Sequence, residues 1–163
     1  MNERRAFTTE QWQALVDAPP AIARAVASVA GSAGQTETEL GAFLELVDQA
    51  ASDAPAGLLG ALVGDVHGRL AGGLPAEAPA DAFMDGLEAA RRAGAILSVQ
   101  ADPVEAARVR AWLLSVAQVV GAAAREGAVL GIGGEQVSHR EEQTIAAIRD
   151  ALGVESDALT ETE

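Results

Sequence analysis

The sequence predicts an all-α protein of about seven helices in a single compact bundle. Apolar residues recur at helical spacing, as in Leu40, Phe43, Leu44 and Val47, and no segment sustains the alternation of a half-buried strand. Hydrophobic residues make up 49% of the 163-residue chain but aromatic residues only 3%, so the core must be built from Ala, Leu, Val and Ile. This length is sufficient for one domain with a buried core.

The first two helices are predicted to meet at a pair of prolines. The first begins at Thr8, whose hydroxyl can accept from the amide of Gln11 in a capping box. We expect it to end before Pro19. The second helix then starts at Pro19-Pro20 and stops at Gly31, because a missing N–H costs nothing in the first turn of a helix.

Two later helices share a design that indicates an internal duplication. In each, an Ala-rich helix leads into a glycine-marked loop, and a capping box then starts an amphipathic helix. The boxes are Thr36 with Glu39 and Ser138 with Glu141, with the Ser or Thr as N-cap and the Glu at N3. We therefore expect two pseudo-repeats, about 7–74 and 81–154, within a single domain.

Three further helices are predicted between these two boxes. One follows the break at 52–55 and one covers about 81–99, with a glycine- and proline-rich loop between them. The longest has Asp102 as N-cap and Pro103 at N1, and runs to about Glu126. Its apolar run is about 14 residues, short of the roughly 20 that a membrane span requires, so we expect a buried central helix.

The chain is predicted to end in a helix stop and a tail. Gly153 stands where a C′ glycine belongs, after a last helix over about 139–152. We expect a single helical domain over residues 1–154. Residues 155–163 are acidic and nearly without apolar side chains, so we expect a flexible tail.

Composition excludes several classes of function. The chain has no Cys, which excludes disulfides, thiolate catalysis and Cys-ligated metals, and all 11 of its Lys and Arg residues are Arg, which excludes a catalytic lysine. The net charge of −13 disfavours binding to nucleic acid or anionic lipid. No apolar leader follows the charged N-terminus, so we expect a cytoplasmic protein. We also expect no membrane span and no cofactor.

Short strings at the helix boundaries carry a family resemblance. They are Trp12-x-x-Leu15-x-x-x-Pro19-x-x-Ile22, Ala27 to Gly31 and Glu39-x-x-x-Phe43, and in the second copy Ala124-Arg125-Glu126-Gly127 and Val137-Ser138-x-x-Glu141-x-x-x-Ile145. With them the chain resembles the TerB-like family, named for a tellurite-resistance protein. The resemblance implies an all-helical fold with an internal duplication. It also implies a metal site where an Asp-Gly pair precedes the capping Glu, and this chain departs from that pattern because its first loop, Gly31 to Gly34, has no acid.

Candidate metal ligands are few and dispersed. Glu126, Glu135 and Glu141 could approach a divalent cation, but hard cations prefer several carboxylates from one short loop, so no tight site is expected. His67 and His139 each lack a second His four residues away, and neither is expected to bind a metal. No pattern of residues indicates a catalytic site.

The apolar, glycine-rich segment Gly127 to Gly134 is the candidate partner-binding site. Two interpretations stay open: Val129, Leu130 and Ile132 either pack into the bundle or form a loop that docks a partner. A phosphate-binding loop is not expected, because no strand precedes the glycines and the chain has no lysine.

Together these observations predict a non-enzymatic helical module of the TerB-like kind. We expect it to act in a stress-response context through protein contacts or weak cation binding. A structural or accessory subunit of a larger assembly is the alternative, and an enzyme of unrecognised type comes third. A protein partner is expected, nucleic acid is not, and a homo-oligomer is left open.

Overall fold

The computed structural model of the protein is all-helical, as predicted. It describes residues 3–29, 33–74, 80–128 and 134–155, with the side chains in these ranges except at 33–35, 126–128 and 134–138. The described ranges contain one short 3-10 helix and six α-helices, where about seven helices were predicted. They are η1 (Glu3–Ala6), α1 (Thr9–Ser28), α2 (Ala33–Asp53), α3 (Gly57–Leu70), α4 (Ala82–Gln100), α5 (Pro103–Ala128) and α6 (Gly134–Leu152).

The two prolines do not divide α1, so the prediction of two helices in this region is wrong. Pro19 and Pro20 both lie inside one continuous helix. A proline in a helix interior costs about 3 kcal/mol, because it removes a donor and crowds the preceding turn. Leu15 and Ile22 are fully buried on either side, and Pro19 itself is buried. The packing of this face against the core outweighs the local penalty.

Two predicted helix starts are confirmed together with their caps. At the start of α1, the Thr8 hydroxyl accepts from the Gln11 amide at 3.1 Å, and the Gln11 side chain accepts from the Thr8 amide at 2.9 Å. At the start of α5, Asp102 Oδ1 accepts from the amides of Val104 and Glu105 at 2.9 and 3.4 Å. Both caps involve only neighbours in sequence, which is why the local pattern was sufficient to predict them.

The capping boxes predicted at Thr36 and Ser138 are wrong. The helix α2 begins three residues before Thr36, and α6 begins four residues before Ser138, so both residues lie inside helices. The Ser/Thr-x-x-Glu spacing also places two side chains on one face of a continuous helix, so the pattern is not unique to a helix start. The two pseudo-repeats, about 7–74 and 81–154, stay a prediction without this support.

The packing of α4 against α1 depends on a glycine. These two helices share the most extensive contact in the described ranges. At their crossing, a Cβ on Gly86 would lie 2.6 Å from the carbonyl oxygen of Ala21 and would also collide with Ala25. Only a residue without a side chain allows this approach, which fixes the distance between the two helices.

The helix α5 is the buried central helix that the sequence predicted. It packs against α1, α2 and α6, and the side chains of Leu113, Val116 and Val120 are fully buried. No helix in the described part of the chain is both long enough and apolar enough to span a membrane.

The last helix ends as the sequence predicted. Gly153 adopts a φ of +72°, its amide donates to the Asp150 carbonyl at 3.1 Å, and the Val154 amide donates to the Arg149 carbonyl at 3.2 Å. These paired bonds form the Schellman arrangement that a C′ glycine permits. Of the predicted tail at 155–163, all but Glu155 lies outside the described residues.

Candidate functional site

The predicted partner-binding residues belong to the segment between α5 and α6. Val129, Leu130 and Ile132 lie outside the described residues. The candidate loop is shorter than predicted, because α5 continues through Ala128 and α6 already begins at Gly134. Docking through this segment stays a prediction.

Glu141 is the one candidate metal ligand whose side chain the structure describes. The side chains of Glu126 and Glu135 fall outside the described residues. Glu141 was predicted to cap α6, but it lies well inside that helix with only 2% of its surface exposed. Its neighbour in sequence, Glu142, is exposed to solvent.

A second buried carboxylate, that of Glu39, accompanies Glu141. Glu39 lies in the second turn of α2 and is 0% exposed. All four carboxylate oxygens of the two residues are buried, and none finds a hydrogen-bond partner in the part of the chain that the structure describes. Buried carboxylates are normally paired or hydrogen-bonded, because an isolated buried charge is very costly. We call Glu39 and Glu141 the buried carboxylate pair.

The charge of Glu141 acts on Glu39, and burial acts on both carboxyl groups. Burial raises the pKa of Glu39 from 4.5 to about 7, and the negative charge of Glu141 contributes to the same shift. Burial also raises the pKa of Glu141; the positive charge of Arg125 on α5 opposes that shift, and the charge of Glu142 adds to it. The ionised pair therefore requires compensation by a proton or by a cation.

The sequence places both glutamates on the apolar faces of their helices. Glu39 precedes the buried Phe43 and Val47 by one and two turns, and Glu141 precedes the buried Ile148 on α6. Where α5 packs on α6, the absent Cβ of Gly121 leaves space for the Ile145 side chain of α6, which a Cβ there would meet at 2.9 Å. The same close packing that buries these apolar stripes draws each carboxylate into the interior.

The sequence analysis missed the pair because it assigned both residues to helix caps. A usable signal was present in the periodicity. Extending the stripe of Phe43 and Val47 backward by four residues reaches Glu39, and extending that of Ile145 and Ile148 reaches Glu141. A glutamate at a core position of an amphipathic helix predicts a buried carboxylate, whichever motif it also matches.

Both histidines are exposed to solvent. His67 Nε2 lies 3.2 Å from Asp48 Oδ1 in a solvent-exposed pair between α2 and α3. His139 is exposed and forms a hydrogen bond with Gln143 at 3.2 Å. Within the described ranges, no group of three or more His, Asp or Glu side chains is placed to hold a metal ion.

Comparison with known proteins gives no relative. No protein-family model, no curated protein and no solved structure matches the chain. The resemblance to the TerB-like family therefore rests on the residues quoted above, and the buried carboxylate pair stands as a feature of this chain.

Proposed function

We propose that the protein is a non-enzymatic helical module that binds a hard divalent cation at the buried carboxylate pair. The observation that carries this proposal is the absence of any hydrogen-bond donor, among the described residues, for the four buried oxygens of Glu39 and Glu141. A divalent cation between the two carboxylates would neutralise both charges at once and occupy their free lone pairs. The overall charge of −13 raises the local concentration of cations around the molecule.

The donor set fits an oxygen-binding cation. Carboxylates are the ligands preferred by Mg²⁺, Ca²⁺ and Mn²⁺, whereas zinc and copper sites usually draw on His or Cys. The chain has no Cys, and its two histidines are solvent-exposed. Glu39 and Glu141 would hold the cation, which would supply positive charge that links α2 to α6.

Two carboxylates support weak rather than tight binding. Calcium takes six to eight oxygen ligands, and a Mg²⁺ ion held by one or two carboxylates keeps several waters. The described residues provide no third acidic or histidine ligand. We therefore expect a dissociation constant of about 10⁻⁴ to 10⁻³ M, the range of weak oxygen-ligand sites.

The biological context follows from the resemblance alone. A TerB-like module of this kind would act in a stress response, and it would act through contacts with a protein partner and not by catalysis. Cation binding at the pair would hold α2 and α6 in place against α5, the helix on which both pack, and so stabilise the surface that these helices present.

Isothermal titration of the protein with Mg²⁺, Ca²⁺ and Mn²⁺ tests the proposal. Wild-type protein should bind at least one of these ions, and Glu39→Gln and Glu141→Gln should each weaken binding at least tenfold. Glu45→Gln removes one negative charge from an exposed position on α2, the helix that carries Glu39, and serves as the matched control. It should leave the affinity unchanged.

Two results would contradict the proposal. One is the absence of binding by wild-type protein at millimolar cation concentrations. The other is binding that survives replacement of Glu39 or Glu141, since that would place the cation at one of the many exposed acids.

A further inference from the structure

The fold also contains a cavity between α1, α3 and the first turn of α4, and neither Glu39 nor Glu141 lines it. Its volume is about 350 Å³. One stripe of α1 forms the floor, with Pro20 and Ala21 at its centre, and Leu70 and Leu74 form the facing wall. Ligand sites in proteins are mostly apolar clefts of about 300–1,000 Å³, and this cavity is within that range.

The cavity is formed by backbone positions that are fixed on both sides. On one side, Gly86 holds α4 against α1 at a distance that no side chain would allow. On the other, α3 ends in a turn in which Gly73 adopts a φ of +85° and donates to the Leu70 carbonyl at 2.8 Å. At the centre of the floor between them are the small side chains of Pro20 and Ala21, so the space stays open while the helices remain in place.

The charged residues at the rim of the cavity differ in whether they have a partner. The negative charge of Asp17 is compensated, because Asp17 pairs with the guanidinium of Arg69 and accepts a hydrogen bond from the side-chain amide of Gln13 at 3.2 Å. Arg24 has a partner of its own. Asp85, in the first turn of α4, lines the cavity with no ion pair or side-chain hydrogen bond among the described residues. The rim therefore presents one uncompensated negative charge above an aliphatic floor.

We propose that this cavity binds a small amphiphilic amine, with its apolar body on the floor and its ammonium group beside Asp85. The volume is more than twice the roughly 150 Å³ of a protein cavity that binds benzene, so a body of about two rings fits. An ammonium group complements Asp85, whereas a carboxylate at the same place would be repelled. This site is separate from the buried carboxylate pair and does not depend on the proposed cation binding.

Three probes with one apolar body separate charge from shape: naphthylmethylamine, naphthylmethanol and naphthoate. Their binding to isotope-labelled full-length protein is measured from the shifts of the backbone amides that line the cavity. The amine should bind about fivefold more tightly than the alcohol, the preference expected for an exposed ion pair, and naphthoate should bind most weakly. Asp85→Asn should abolish the preference of the amine over the alcohol.

Two further variants complete the experiment. Glu88→Gln removes an exposed charge from the same helix, away from the cavity, and should keep the full preference. Ala82→Leu fills part of the cavity at the first residue of α4 and should weaken all three probes, with the thermal midpoint showing that the variant folds.

Each contrary result overturns the proposal. Equal affinity for amine and alcohol, or a preference that persists in Asp85→Asn, excludes recognition by this carboxylate. If Glu88→Gln loses the preference for the amine over the alcohol as fully as Asp85→Asn does, the amine is attracted to the acidic surface as a whole and not to Asp85. The absence of shifts with every probe shows that the cavity is not a ligand site.

Discussion

Replacing Glu39 by Gln should remove a pH dependence that burial of this carboxyl imposes on the metal-free protein. The pKa of Glu39 is about 7 in the folded protein and returns to its ordinary value of 4.5 in the unfolded chain. Between these values the unfolded state releases a proton that the folded state retains. Stability therefore falls as the pH rises from 4.5 to 7, and this group adds no slope below or above that window.

The size of the effect follows from the shift. One pKa unit corresponds to 1.36 kcal/mol, so a rise from 4.5 to about 7 corresponds to about 3 kcal/mol of lost stability at neutral pH. This is a large share of the 5–15 kcal/mol that stabilises a typical domain. A glutamine at this position would have the shape of the protonated Glu and no proton to release, so the variant should not lose this stability as the pH rises.

Urea denaturation at several pH values between about 5 and 8, in the presence of a chelator, measures this difference. Relative to wild type, Glu39→Gln should gain up to about 3 kcal/mol across the range, while Glu45→Gln, at an exposed position of the same helix, should follow the wild-type curve. Comparison of wild type with each variant cancels the contribution of the carboxylates that do not interact with the replaced residue. Parallel curves for wild type and Glu39→Gln would refute the reasoning, because Glu39 would then titrate alike in the folded and unfolded states.

Two further predictions test the start of α1 and the packing of α4 against it. Thr8→Ala should lower the free energy of unfolding by about 0.5–2 kcal/mol through loss of the cap of α1, whereas Thr9→Ala, one residue on, should change it by less than about 0.5 kcal/mol. If the cap were unimportant, the urea midpoints of the two variants would coincide. Gly86→Ala should lower the free energy of unfolding by about 1–3 kcal/mol, because it forces α4 away from α1. Gly64→Ala, where a Cβ meets open space, should instead stabilise the protein by about 1 kcal/mol. Equal effects of the two variants on thermal denaturation would contradict the close packing of α4 against α1.

Local signals predicted the helices well where the deciding contacts are local. The caps at Thr8 and Asp102 and the stop at Gly153 each depend on backbone groups within a few residues, and each was predicted correctly. The break at Pro19 was predicted from a local penalty that is real. The sequence could not show that α4 and α5 would bury that stretch of α1 deeply enough to outweigh it.

The candidate site was harder to predict because it depends on how two helices, α2 and α6, pack on α5. Glu39 and Glu141 are 102 positions apart, and each alone has a sufficient local interpretation as a capping residue. What distinguishes a buried glutamate from a capping one is the position at which its helix begins and the face that it buries, and both are set by tertiary packing. The periodicity of the apolar stripes contained part of that information.

Diffraction from crystals of the protein soaked in Mn²⁺ tests the central claim most directly, since manganese shares the oxygen ligands of Mg²⁺ and gives an anomalous signal. The proposal predicts an anomalous peak within ligand distance of the carboxylates of both Glu39 and Glu141, and no peak at that position in Glu39→Gln crystals. A peak confined to exposed acids, or the same peak in the variant, would contradict the assignment of the buried carboxylate pair as a cation site.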